Sequence, residues 1–349
     1  MMIALAAALT IFGAPQAERP LIFHDFETRS YGWRALNEGH SVDRTTNSLD
    51  VKNGTGALEF MFVPSAGQMS GMMLELGDIS GAEGMTFWIK ASRATAIAVG
   101  LFEQDEEEYV IVVNVPANRW LHVKANFEDF ILTDESPLLN RRLDVEKIRA
   151  VLMLDLIATI AVGSDIGELL FGSRTGSNAL WLDDFALLQK APAPKLKREP
   201  LVIDSFDRDY TSWIPLQGVT LEPILGKGMR VSYERQLGRI PGLLKGISPT
   251  SLKGAKEIVF TLRCPQETSF IIRLEETDGE KWQVEARAPG GNESADMAIP
   301  LADFSPADDS ELKDGRISPE NLKLVFMADL TEAEPGTKNE FWIEKVFAR

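Results

Sequence analysis

Glu103, Asp105 and Glu108 fall within one run, Glu103-Gln104-Asp105-Glu106-Glu107-Glu108, and its E-x-D-x-x-E spacing is the sharpest hint of chemistry in the 349 residues. Paired carboxylates a few ångströms apart can share the acid and base work of glycosidic bond cleavage. A strand carrying them into a cleft would need apolar residues between the acids, so that its other face packed into a core. The intervening residues are instead Gln104, Glu106 and Glu107. The stretch Glu103 to Tyr109 also aligns with Glu276-Thr277-Asp278-Gly279-Glu280-Lys281-Trp282, where Asp-Gly is a hairpin-turn pair. A solvated hairpin tip is expected, not a catalytic centre. The sequence contains no G-x-S-x-G, H-E-x-x-H, G-x-x-x-x-G-K-[ST] or G-x-G-x-x-G. His24, His40 and His122 share no metal-ligand spacing, and the single Cys264 excludes internal disulfides and a cysteine zinc site.

That alignment belongs to a repeat running through the whole chain. Leu21 to Glu27 with Trp33 matches Leu201 to Asp207 with Trp213, and Met85 to Lys90 matches Ile258 to Arg263. Asp129-Phe130 pairs with Asp303-Phe304, Asp155-Leu156 with Asp329-Leu330, and Asn178 to Asp183 with Asn339 to Glu344. The offset drops from 174 to 161 in the last interval, so the first copy holds about 13 extra residues between Leu156 and Asn178. A period above about 50 residues means tandem domains, not a solenoid. Within each copy, short β-branched and aromatic runs such as Tyr109 to Val113 and Phe270 to Leu274 are punctuated by Gly, Pro, Asn and Asp. The expected fold is all-β: two tandem antiparallel β-sandwich domains, residues 18–190 and 201–349. Leu143 to Lys147 and Ser318 to Asn321 are expected as single helical turns. The Pro-rich basic stretch 191–200 reads as a semi-rigid linker.

The 52 acids and 36 bases give a net charge of −16, spread as 26 against 15 over residues 18–190 and 25 against 18 over 201–349. Such a balance argues against nucleic-acid binding, which needs clustered Lys and Arg. Residues 1–17 are uncharged, with an apolar run from Ile3 to Phe12 and small residues after it, the pattern of a secretory signal peptide. No run reaches the roughly 20 apolar residues that span a bilayer. A secreted, periplasmic or cell-surface location follows as the expectation.

Asp25-Phe26-Glu27 with Trp33, Phe87-Trp88-Ile89-Lys90, Trp120 with Asp129-Phe130, and Trp181-Leu182-Asp183-Asp184-Phe185, in that order, resemble galactose-binding-like β-jelly-roll modules. These include non-catalytic carbohydrate-binding modules and the domain of the complex I intermediate-associated protein family, and the resemblance covers both copies. It implies a structural Ca²⁺ bridging Glu27 and Asp183, with the Asn53 loop supplying carbonyls, and less strongly a second at Asp207 and Glu344. It also implies a carbohydrate, most simply a polysaccharide, as ligand. Sugar binding needs exposed aromatic faces flanked by polar groups. Tyr109 and Trp282, equivalent between the copies, are the first candidates; Trp88 and Trp120 follow, with Arg149 and Lys124 as polar partners. The expected function is a non-catalytic binding protein. Alternatives are a surface protein-interaction role, which the same fold supports, and, last, a secreted glycoside hydrolase.

Overall fold

The computed structural model describes residues 20–133, 136–137, 140–162, 165–195, 201–248, 251–311 and 314–349. The expected signal peptide, 1–17, and linker residues 196–200 lie outside them. The chain is all-β, built from four antiparallel sheets, two per repeat, each pair stacked as a jelly-roll sandwich. Sheet 1 runs Ser41–Thr45, Ala57–Phe62, Asn178–Leu188, Gly84–Ala91, Leu121–Asn126, with Ile22–His24 along Asn178–Leu188. Sheet 2 runs Ile131–Leu132, Glu108–Val115, Thr95–Glu103, Ile148–Asp155, Gly71–Glu75, Arg34–Ala35. Sheets 3 and 4 repeat both orders with strands from Val202–Asp204 to Lys338–Ala348.

Period-two burial explains why these segments form sandwich strands. In Glu108–Val115 the inward residues are Tyr109, Ile111, Val113 and Val115, alternating with partly exposed ones. Phe60, Phe87 and Leu182 of sheet 1 meet Val99, Leu101 and Met153 of sheet 2 in one core; Val231, Phe260 and Ile343 meet Ile272, Leu274 and Met327 in the other. Both copies open on the same turn. Phe26 and Phe206 adopt left-handed φ of 56° and 54°. The buried indole N–H of Trp33 donates to His24 Nδ1 at 3.3 Å, and that of Trp213 to Asp204 Oδ2 at 3.1 Å. An indole N–H removed from water needs such an acceptor.

The single helical turns form where expected, as Val145–Lys147 and Pro319–Asn321. What the repeat did not foretell is the use of the extra residues after Leu156. They fold as two short helices, α1 (Leu156–Ala161) and α2 (Asp165–Phe171). Buried Asp155 caps α1, accepting from the Ala158 N–H at 2.8 Å and from the Thr95 hydroxyl at 2.5 Å. Ile157, Ala161 and Phe171 pack with Ala96 of sheet 2 and with Ile214 and Leu216 of the second repeat in a third apolar cluster, flanked by Leu244 and Phe326. Gln217 N–H donates to the Leu170 carbonyl at 2.8 Å, and Asn114 N–H to the Thr211 carbonyl at 3.0 Å.

One ion pair completes this junction. Arg208 Nη2 and Nε donate to Asp129 Oδ1 and Oδ2 at 2.6 and 2.8 Å, with both side chains under one-tenth exposed. Arg208 Nη1 also donates to the Pro194 carbonyl, and the Asn126 amide both donates to and accepts from the Ala193 backbone. The start of the linker is thereby laid against the first sandwich. Among the described residues, no helix is long and apolar enough to cross a membrane. Asp129→Ala leaves a buried guanidinium without its counter-charge, a change that costs about 3–5 kcal/mol. Denaturant unfolding of this variant is expected to shift to lower denaturant and to separate into two transitions; an unshifted transition would show that the pair does not couple the repeats.

Candidate functional site

Alternation sends Thr86, Trp88 and Lys90 to the outer face of sheet 1, because Met85, Phe87 and Ile89 take the core. On neighbouring strands Trp88 faces His122 and Asp183, and Thr86 faces Lys124. The Trp88 and His122 rings stack with centroids 4.4 Å apart and planes within 10°. Thr86 Oγ1 and His122 Nε2 lie 2.8 Å apart in a hydrogen bond. Exposed Lys52 places Nζ over the partly exposed Trp88 indole, 4.2 Å from the ring centroid. Further along, the Lys90 ammonium sits 4.4 Å over Trp181 and 5.5 Å from Trp120. Lys90 is buried, and it is held by Asp50 and the Leu49 carbonyl, both at 2.6 Å. The Trp181 N–H donates to Glu59 at 2.9 Å. Cations over indole faces are favourable contacts that strengthen where water is excluded.

Of the expected ligand-binding residues, Trp88, Trp120 and Lys124 therefore share one face, and His122 joins them. Arg149 does not: it is exposed on the Ile148–Asp155 strand of sheet 2, the opposite layer. Tyr109 and Trp282 are not platforms. They are 3% and 4% exposed, with rings in the two cores, because each lies on the inward parity of its strand. Their polar ends reach the acidic corners: Tyr109 O–H donates to Glu107 Oε2 at 3.2 Å and Trp282 Nε1–H to Glu276 Oε1 at 2.9 Å.

The acidic run makes the expected turn but is only partly solvated. Glu103 and Glu107 are fully buried, and burial pushes the Glu103 carboxyl up to about 7. Glu107, not Glu108, completes the group with Glu103 and Asp105, so the E-x-D-x-x-E triad never assembles.

Glu27, Asn53 and Asp183 close a loop. Asp183 Oδ2 accepts from the N–H groups of Lys52 and Asn53 at 2.9 and 3.0 Å; Glu27 accepts from the Thr55 N–H and hydroxyl at 3.0 and 2.6 Å. The Asn53 amide donates to Asp184 at 2.6 Å. Among the described residues Glu27 and Asp183 are not drawn together as a carboxylate cluster, and loop donors take up their oxygens, so these residues do not fit a calcium ion as placed. They serve to press the 49–55 loop, with Lys52, against the Trp88 face.

The second repeat keeps the scaffold and loses the rings. Trp342 and Arg263, stacked at 3.8 Å, stand for Trp181 and Lys90. Thr261 and Asp296, hydrogen-bonded at 2.8 Å, stand where Trp88 stacks on His122. A cleft of about 1140 Å³ also lies at the junction, lined by Asp204, Arg208, Ser212 and Lys245 among others. The aromatic residues on its wall, including Phe130, Phe206 and Tyr210, are at most 7% exposed and present no ring face.

No family model matches the chain, and no curated protein matches it. Among solved structures, the family 11 carbohydrate-binding module of the cellulase Lic26A-Cel5E of Clostridium thermocellum is similar at 17% identity and TM-score 0.36, over 50% of this chain and 96% of that one. The CBM22-1–CBM22-2 tandem domain of Paenibacillus barcinonensis Xyn10C is similar at 15% identity and TM-score 0.31, over 96% and 99%. TmCBM61 in complex with β-1,4-galactotriose is similar at 16% identity and TM-score 0.27, over 45% and 88%.

Burial against Trp88, and next the Lys124 charge, hold the His122 imidazole below the ordinary 6.5. A histidine with a depressed folded-state pKa contributes stability that is complete above 6.5 and lost as pH falls through that value toward the folded one. The His122 ring is expected to titrate below 6.5 by NMR, and Trp88→Ala, by admitting water, to move the midpoint upward; an unmoved midpoint would dissociate the ring from the stack.

Proposed function

We propose that the outer face of sheet 1 binds carbohydrate, with Trp88 as the stacking surface, and that the chain acts as a non-catalytic binding protein. The observation that carries this is the partly exposed Trp88 indole on the outer face of sheet 1, stacked on His122 and with the ammonium of the exposed Lys52 4.2 Å from its ring. A pyranose presents a C–H face of the same partial positive character as that ammonium, so it can take its place over the ring while the flexible Lys52 stem swings aside. Hydroxyl groups then meet Lys52, Lys124, Asp184 and the Thr86–His122 pair, a mixed donor and acceptor set. Charges of both signs surround His122, namely Lys124, Lys52, Asp184 and Asp209. A neutral polysaccharide suits the protein better than an acidic one, since the net charge of −16 repels polyanions at long range. Export, as expected from residues 1–17, would bring the chain to extracellular glycans of this kind.

Affinity electrophoresis of the full chain through soluble β-glucans, xylans, mannans and galactans tests the reading. Retardation by at least one glycan is expected. Trp88→Ala should weaken it by about 30-fold, the effect of about 2 kcal/mol typical of a truncated aromatic anchor, whereas Trp342→Ala should leave it unchanged. Retardation by none, or equal loss in both variants, would overturn the assignment.

A further inference from the structure

Both repeats turn the same acidic corner. In the first, the Glu103 N–H donates to the Glu107 carbonyl at 3.0 Å and the Glu106 N–H to the Glu103 carbonyl at 3.3 Å, with Glu106 at φ 73°. In the second, the Glu276 N–H donates to the Glu280 carbonyl at 2.9 Å and the Gly279 N–H to the Glu276 carbonyl at 3.0 Å, with Gly279 at φ 95°. Carboxylate oxygens of Glu103, Asp105 and Glu107 lie within 4.8 Å of one another, and so do those of Glu276, Asp278 and Glu280. All four glutamates are at most 1% exposed.

One oxygen of each buried glutamate is already engaged by a neighbouring loop. Asn140 and Arg141 N–H groups donate to Glu107 Oε1, and the Asp144 N–H to Glu103 Oε1. Asp314 and Gly315 N–H groups donate to Glu280 Oε1, and the Ser318 N–H to Glu276 Oε1. Among the described residues, Glu103 Oε2, in a fully buried residue, and Asp105 Oδ1 have no hydrogen-bond partner. Lys147 neutralises only the outer side, pairing with Asp105 Oδ2 at 2.9 Å and Asp144 at 2.7 Å. Asn321 takes its place in the second repeat, its carbonyl accepting the Thr277 N–H as that of Lys147 accepts the Gln104 N–H.

We propose that each acidic corner binds one divalent cation, and that the ion is calcium. Ca²⁺ takes six to eight oxygens at about 2.3–2.6 Å in forgiving geometry, so three carboxylates whose oxygens already lie within 4.8 Å of one another can close on one ion with little movement. Mg²⁺ demands near-ideal octahedral geometry and gives up its waters reluctantly, which suits carboxylates already fixed by loop N–H groups less well. Neither corner holds a histidine or cysteine, the donors that favour zinc. The ion supplies the missing partner of Glu103 Oε2 and fixes the 140–144 and 314–318 loops through the same carboxylates. These corners use none of the residues of the Trp88 face, so the proposal stands or falls apart from glycan binding.

The test is calorimetry of the EDTA-treated, folded full chain with CaCl₂, together with Tb³⁺ luminescence, which Trp282 should sensitise through its contact with Glu276. Two ions per chain and a calcium-dependent rise in melting temperature are expected, with little response to equal Mg²⁺. Glu103→Gln with Glu107→Gln should leave one ion, and adding Glu276→Gln with Glu280→Gln should leave none. If those variants fold poorly, Asp105→Asn and Asp278→Asn, at the outer turn positions, should each weaken binding at their own corner by about ten-fold or more. Asp183→Asn should leave the calcium stoichiometry at two. Absence of calcium heat and terbium emission at millimolar metal, or a stoichiometry that the corner substitutions do not reduce, would overturn the proposal.

Discussion

The Thr95–Glu103 strand is buried on both faces, and much of the molecule follows from covering it. An antiparallel sheet ordinarily keeps one face in water. Here the inward residues Ile97, Val99 and Leu101 fill the sandwich, while Ala96 on the opposite face requires a second cover. That cover is α1 and α2, clamped in turn by Ile214 and Leu216 of the other repeat. The junction therefore consumes the outer surface of sheet 2 in the region that an isolated module would leave open. Among the described residues the outer faces of sheets 1 and 3 are not covered in this way, and it is there that the two repeats divide.

That division is made with few substitutions on a constant frame. A stacked tryptophan and histidine become a hydrogen-bonded Thr261 and Asp296 at the same pair of cross-strand positions. Lys90 over Trp181 becomes Arg263 over Trp342, the cation kept and the shape of its head changed. By contrast the acidic corners, the opening indole hydrogen bonds and the left-handed phenylalanines are shared. Features that hold the sandwich together recur, and features that face solvent diverge.

The repeat was legible because its landmarks are core residues, and cores repeat when folds do. It gave the all-β class, the helical turns at Val145–Lys147 and Pro319–Asn321, and the extra residues after Leu156, though not that those residues would become a helical wedge. The wedge answers a tertiary need, and nothing local announces it. Tyr109 and Trp282 border a turn, which suggests platforms, but the parity set by Ile111 and Val113 sends Tyr109 inward. His122 was passed over because a lone histidine has no motif, although its alternation with Trp120 and Lys124 places all three on one side. The buried corners were hidden by composition: a run of acids reads as solvated, and only the i, i+2, i+4 match between Glu103, Asp105, Glu107 and Glu276, Asp278, Glu280 separates it from an ordinary tip.

Cys264 closes a strand of the second repeat, 1% exposed, with burial raising its thiol to about 11. As the chain's single cysteine it is chemically silent while that sandwich stays shut. Reaction of this thiol with a disulfide reagent is then a clock for one half of the molecule, ticking when the second repeat opens and deaf to the first. A protein whose halves are joined through a helical wedge thus carries its own reporter of when the second of them opens.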